Sequence, residues 1–160
     1  MMVYLTRRYR FSAGHRLHND ALSAEENRRV YGKCNNPHGH GHNYLLEVTV
    51  AGAIDPATGM VFDLVALDGI VAERVLEKLD HKNLNLDMEN FRTQVPTTEN
   101  LCLEIYKLLR NHLEEAGAER GVQLDRVRLE ETSLNSFEYV PEQAGRKKGN
   151  GCEELLKQMR

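Results

Sequence analysis

The chain has 160 residues, with 21 lysines and arginines against 24 acidic residues for a formal net charge of −3, and 41% of it is hydrophobic. That length holds one domain around one modest core, and the charge balance offers no basic surface for nucleic acid or an anionic membrane. No apolar run suits a bilayer span, the mixed polar start is unlike a signal sequence, and three cysteines (Cys34, Cys102, Cys152) without framework spacing suit reduced thiols in a cytoplasmic protein.

Residues 3–15 alternate. Val3, Leu5, Tyr9, Phe11 and Ala13 share one face and Arg8, Arg10 and Ser12 the other, which predicts a strand whose apolar phase ends on His15. A loop follows over 16–33, with one short helical turn expected in 22–27. A second strand is predicted over 40–54, its inward phase being His40, His42, Tyr44, Leu46, Val48 and Val50. Asp55-Pro56-Ala57-Thr58-Gly59 is a turn signal, after which 60–62 can resume as a short strand. Asp63 can cap a helix over 64–79 with Leu64, Leu67, Val71 and Val75 as its buried stripe. A polar connector spans 80–96. A second helix starts near Thr97 or Thr98, buries Leu101, Ile105, Leu108, Leu109 and His112, and stops at Gly117. Val127, Leu129 and Glu131 alternate in a third long strand, and 137–140 makes a fourth through a hairpin at Leu134-Asn135-Ser136. The pattern is lost at Pro141, so residues 1–140 are expected to form the domain and 141–160 a flexible tail. The order ββααββ predicts an α+β fold: a four-stranded antiparallel sheet with both helices on one face. Its two open edges invite self-association.

The most informative segment is Cys34-Asn-Asn-Pro-His38-Gly-His40-Gly-His42-Asn-Tyr44. Histidines spaced by two leave one face of an extended chain, and zinc takes neutral imidazole nitrogens with one position kept open at catalytic sites. Two of these histidines plus His15 from the neighbouring strand make three ligands; spacing alone leaves His38, His40 and His42 as candidates. Cys34 lies in loop composition next to Lys33, and both Lys33 and a nearby cation would favour its thiolate as a base or nucleophile. Asp80-His81 can serve as a proton relay or simply end a helix. Glu131 is a carboxylate on an apolar phase, suited to accept two hydrogen bonds from a planar amidine-like edge; a one-residue slip would substitute Glu130. Thr97, Thr98 and Glu99 can be either a helix cap or ligand contacts.

Five blocks in order, Phe11-Ser-Ala-Gly-His15-Arg-Leu, the Cys34–Tyr44 segment, Asp55-Pro-Ala-Thr-Gly-Met60, Leu79-Asp-His-Lys-Asn-Leu84 and Thr97-Thr-Glu99-Asn, resemble the 6-pyruvoyl-tetrahydropterin synthase family. The resemblance runs from about Tyr9 to Tyr139. It implies the tunnelling fold, a hexamer of two face-to-face trimers, and zinc (Zn2+) on His15, His40 and His42. It further implies Cys34 as the proton-abstracting base, Asp80 and His81 as its relay, and Glu131 as pterin anchor helped by Thr97, Thr98 and Glu99 from an adjacent subunit. The implied reaction takes 7,8-dihydroneopterin triphosphate to 6-pyruvoyl-tetrahydropterin with loss of triphosphate. Close relatives form 6-carboxy-tetrahydropterin and release acetaldehyde, with cysteine commonly spaced as Cys-x-x-x-His-Gly-His. Here that spacing is satisfied through His38, but His42-Asn43-Tyr44 favours the longer frame of the pyruvoyl enzymes. A metal- or pterin-binding module without turnover is the reading of a different class.

Overall fold

A computed structural model describes residues 1–142. The expected tail falls almost entirely on 143–160, outside the described residues, as does Cys152. No helix among the described residues is long and apolar enough to cross a membrane.

Strand β1 (Val3–His15) pairs antiparallel with β2 (His40–Gly52), from Val3 opposite Gly52 to His15 opposite His40. β2 pairs in turn with β4 (Gln123–Thr132), and β4 with β5 (Asn135–Tyr139). The four long strands thus lie as the alternation predicts. The sheet nevertheless has five strands, not four, and is not purely antiparallel: β3 (Lys82–Asn83) adds a two-residue parallel rung beside Ala13 and Gly14. The hairpin turn falls at Ser133-Leu134, because Thr132 already pairs with Asn135.

Between β1 and β2, helix α1 (Ala24–Tyr31) is a full eight residues, started by a reciprocal Ser23–Glu26 capping box. Asp63 caps α2 (Leu64–Val71), accepting from the N–H groups of Val65 and Ala66. The helix continues through a π segment (Ala72–Leu76) into α3 (Glu77–Leu79). A short α4 (Leu84–Asp87) precedes the long α5 (Thr98–Ala116), which Thr97 caps through the N–H of Asn100. Two details depart from the sequence reading. Residues 60–62 form a bend rather than a strand, with Val61 and Phe62 buried, and Leu64 is 38% exposed because it sits at the first turn, before the helix reaches the sheet.

Both long helices pack on the apolar face of the sheet. Phe11, Tyr44, Leu46, Val48, Val127 and Leu129 meet Leu67, Val71 and Val75 of one helix and Leu101, Ile105 and Leu109 of the other, all buried. Each such side chain contributes about 1.5–3 kcal/mol on removal from water. At one end of this face the apolar residues give way to histidines.

Candidate metal centre

Parity and register build the site. In the β1–β2 ladder His15 faces His40 and Ala13 faces His42, so the alternation that buries Phe11 and Tyr44 also turns these three imidazoles inward. His15 is 1% exposed, and His40 and His42 are half-buried. Their ring centroids lie 4.6, 4.8 and 5.2 Å apart, and one ligand nitrogen from each falls within 4.8 Å of the others. Gly39 lets the incoming loop pass over His15: its φ is +72°, and a Cβ there would stand 2.9 Å from the His15 carbonyl oxygen. His38 is not part of the cluster. It lies exposed in the turn before β2, where the chain is no longer extended.

The protonation pattern suits a ligand set. His15 Nδ1 is 2.8 Å from the Pro96 carbonyl oxygen, so it carries the proton and leaves the Nε2 lone pair inward. That Nε2 faces His40 Nε2 at 3.2 Å. Burial is the main cause that lowers the pKa of both His15 and His40, favouring the neutral imidazole that binds metals. Among the described residues His40 Nδ1 and His42 Nε2 are buried without a hydrogen-bond partner. Such an orphan costs about 1–3 kcal/mol, and a metal on the Nε2 atoms would recover the one at His42. Nitrogens bound tetrahedrally at about 2.0–2.1 Å stand about 3.3 Å from one another, close to the His15–His40 separation, so the residues present fit zinc.

Glu131 completes the face. Its Oε1 lies 3.6 Å from His42 Nε2 and 3.9 Å from His15 Nε2. The Thr98 hydroxyl donates to Oε1, and Asn135 Nδ2 donates to Oε2 at 2.8 Å. Burial, the largest single influence, raises the pKa of this carboxyl. The two hydrogen bonds, with His42 and His15, outweigh it and hold the group below its ordinary range. Glu131, and not Glu130, is therefore the inward carboxylate.

Cys34 stands half-buried in a 3-10 turn (Gly32–Asn35). Burial first, and then the Glu131 charge, push its thiol up, opposite to the expectation built on Lys33. Lys33 is exposed, and only a cation at the histidines would reverse the sign. The loop that carries Cys34 is held by buried asparagines that sequence reasoning missed. Asn27 Nδ2 donates to the carbonyls of Asn19, Leu22 and Ser23, and Asn35 Nδ2 donates to Leu17 O. A loop asparagine has no sequence mark that separates such a strut from a solvated turn residue.

Asp80 and His81 lie elsewhere on the chain. Asp80 Oδ1 accepts from the Ser12 N–H at 2.7 Å, the His81 N–H donates to Ser12 O at 2.6 Å, and the His81 ring sits 3.0 Å from Asp80 Oδ2. The Ser12 N–H leads the causes that lower the Asp80 pKa, with burial opposing it and the His81 ring adding to it. The pair clamps the edge of β1, with the imidazole 81% exposed and His81 in left-handed backbone (φ +58°). No hydrogen bond or ion pair among the described residues joins it to Cys34. Thr97 is a cap, Glu99 is exposed, and Thr98 is buried and reaches Glu131 rather than open solvent. Beside the triad, not on it, opens a cleft of about 960 Å³ lined by Arg16, His18, His38, Gly39, Arg92 and Thr97.

At one end of this α+β sheet stand three inward imidazoles that could hold a metal ion, with the Glu131 carboxylate beside them. The family model described as 6-pyruvoyl tetrahydropterin synthase matches residues 4–142. The 6-pyruvoyl tetrahydrobiopterin synthase of Poecilia reticulata is 57% identical over 103 residues, 64% of this chain and 70% of that protein. The Homo sapiens protein of the same name is 47% identical over 138 residues, covering 86% and 91%. The solved structure of Caenorhabditis elegans 6-pyruvoyl tetrahydropterin synthase superposes with a TM-score of 0.79 at 40% identity, over 88% of this chain and 96% of that one. The chain belongs to the 6-pyruvoyl tetrahydropterin synthase family.

Proposed function

We propose that this chain is a zinc-dependent lyase that converts 7,8-dihydroneopterin triphosphate to 6-pyruvoyl-tetrahydropterin, eliminating triphosphate. The observation that carries the reading is the convergence of three imidazole nitrogens and the Glu131 carboxylate on one face. Zinc on His15, His40 and His42 would supply Lewis acidity toward the hydroxyl oxygens of the substrate side chain. Glu131 accepts two N–H bonds from the amidine-like edge of the pterin, as its low pKa favours. Cys34 takes a proton from a side-chain carbon and returns it elsewhere on the substrate; as that C–H bond breaks, its electron pair forms a C=C bond and expels triphosphate. The ring is reduced at the expense of its own side-chain hydroxyls, so electrons balance within the substrate and no redox cofactor enters.

Arg16 and Arg92, neither in an ion pair among the described residues, line the adjacent cleft and suit the triphosphate tail. Asp80 and His81 relay protons for Cys34 only across an interface, because within one chain they stand on an exposed sheet edge. Glu99 and Thr97 are likewise assigned to the site of a neighbouring subunit. A homo-oligomer, in the family's hexameric form, follows from those requirements and from the open edges. We place the reaction in the cytoplasm, with residues 1–140 as the catalytic domain.

Incubation of purified protein with dihydroneopterin triphosphate and mass spectrometry of the products tests the reading. A pyruvoyl product with free triphosphate is expected. Release of acetaldehyde would instead identify the 6-carboxy reaction, and equal background turnover in wild type and Cys34→Ala would leave a binding module.

A further inference from the structure

Arg16, Leu17 and His18 leave the end of β1 and run beside Cys34 and Asn35. The Leu17 N–H donates to Cys34 O at 2.9 Å, and Asn35 Nδ2 donates in return to Leu17 O at 2.7 Å. Asn85 clamps the first of the three, accepting from the Arg16 N–H at 2.7 Å and donating to Arg16 O at 3.0 Å. A segment without regular structure is therefore held from two sides. Arg16 and His18 both line the cleft beside the triad, together with Arg92, and Asp20 is the one carboxylate in that lining.

What surrounds Nδ1 locks the His18 ring. Asn35 is buried, and its amide nitrogen must be what faces Leu17 O, because a carbonyl oxygen only accepts. The same nitrogen stands 2.9 Å from His18 Nδ1, and Arg16 Nη2, which also only donates, stands 3.2 Å from it. Arg16 Nε in turn donates to the Asn35 backbone oxygen at 3.3 Å, which steadies the guanidinium. Two donors on one nitrogen make Nδ1 the acceptor and put the imidazole's proton on Nε2. Nε2 is 3.3 Å from Asp20 Oδ1, so an anionic oxygen on a fully exposed side chain already stands in front of that donor.

We propose that His18 is a specificity-determining residue for the phosphate tail: Asn35 and Arg16 fix its ring so that Nε2–H donates to a phosphate oxygen, which takes the place of the Asp20 carboxylate. This rests on the reading of the cleft as the phosphate subsite. Arg16 and Arg92 supply charge, which draws any anion. A ring fixed before binding adds a donor at one place and loses little freedom when the tail arrives. Because residues 16–18 are bonded to Cys34 O and Asn35, a tail seated on His18 is registered against the segment that carries Cys34.

Fluorescence titration of the full zinc-loaded chain with neopterin and with neopterin triphosphate tests the inference, since the ratio of the two affinities isolates the tail. His18→Asn keeps an acceptor where Nδ1 stands but no donor at the Nε2 position, and His18→Gln keeps the donor but not the acceptor. His18→Asn should therefore bind neopterin triphosphate about tenfold more weakly, the order of one hydrogen bond to a charged group, and His18→Gln less than about threefold more weakly. Neopterin affinity, zinc content and unfolding temperature should stay at wild-type values in both, and nitrogen NMR of the wild type should find the His18 proton on Nε2. Unchanged triphosphate affinity in His18→Asn would overturn the proposal. A loss in His18→Gln as large as in His18→Asn would make His18 a prop for Arg16 and overturn it too, as would equal losses for neopterin or a proton on Nδ1. Wild type that binds neopterin and its triphosphate equally would instead overturn the phosphate reading of the cleft, a result distinct from these.

Discussion

Two polar clusters stand on the same face of β1, at its two ends. Near the start, Arg7 Nε and Nη2 donate to the two oxygens of Asp68 at 2.9 and 2.7 Å, and the Tyr9 hydroxyl donates to Asp68 at 2.8 Å. The Arg7 hydrogen bond leads the causes that lower the Asp68 carboxyl. Near the finish, His40 Nδ1, His42 Nε2 and the Tyr44 hydroxyl, around the three histidines, are unpaired among the described residues. Strand, face and parity are the same; only the first cluster closes on itself. Folded chains pair nearly all their buried polar atoms, so the open end is the one that a ligand would complete.

The contrast can be broken by mutation. Replacing His40 and His42 together by alanine should take bound zinc from about one per subunit to none and turnover to background. Metal analysis decides it, and full occupancy in that variant would refute the ligand assignment. Cys34→Ala should lower turnover about 10²–10⁴-fold with zinc content intact, since a base and not a ligand is removed; steady-state rates with metal content separate the two roles. Asp68→Asn should show the inverse signature. Its unfolding temperature should drop by roughly a few degrees while metal and turnover stay at wild-type levels, in keeping with a partly exposed ion pair. A loss of zinc there would erase the distinction between the ends.

The smallest effect is on pH dependence. His15 and His40 have folded pKa values below the ordinary value of about 6.5, mainly through burial, so below that pH the unfolded chain binds more protons than the folded one. Their stability contribution is intact above about pH 6.5 and is lost as pH falls toward the depressed values. Asp68 and Glu131 are also depressed, and what they contribute is lost further down, as pH falls through the carboxylate range. Metal-free denaturation across pH should therefore fall in two stages, the open end first, and His40→Ala should shrink the upper one.

Much of the site was legible because strand side chains follow parity. His15, His40, His42 and Glu131 land on the face that alternation assigns them. What excludes His38 is the turn ahead of β2, and periodicity carries no information about where extension begins. β3 was illegible because two residues hold no pattern, and the π segment because it is a choice of hydrogen-bond partner rather than of composition. Asp80 was read as a helix stop or a relay, and its bond to the Ser12 backbone depends on a contact between residues far apart in sequence. Tyr44 was read as core from its phase, which is correct for its ring and silent about its oxygen.

The unbroken ladder from Val3–Gly52 to His15–His40 has an evolutionary consequence. Which face a ligand takes is set by counting along the strands, never along the loop between them. An insertion or deletion within residues 16–39 changes where Cys34 and the cleft wall stand but cannot turn His15 away from His40. Loop length is thus free to drift under selection for a new product while the histidines stay fixed, whereas one residue gained inside either strand would scatter them.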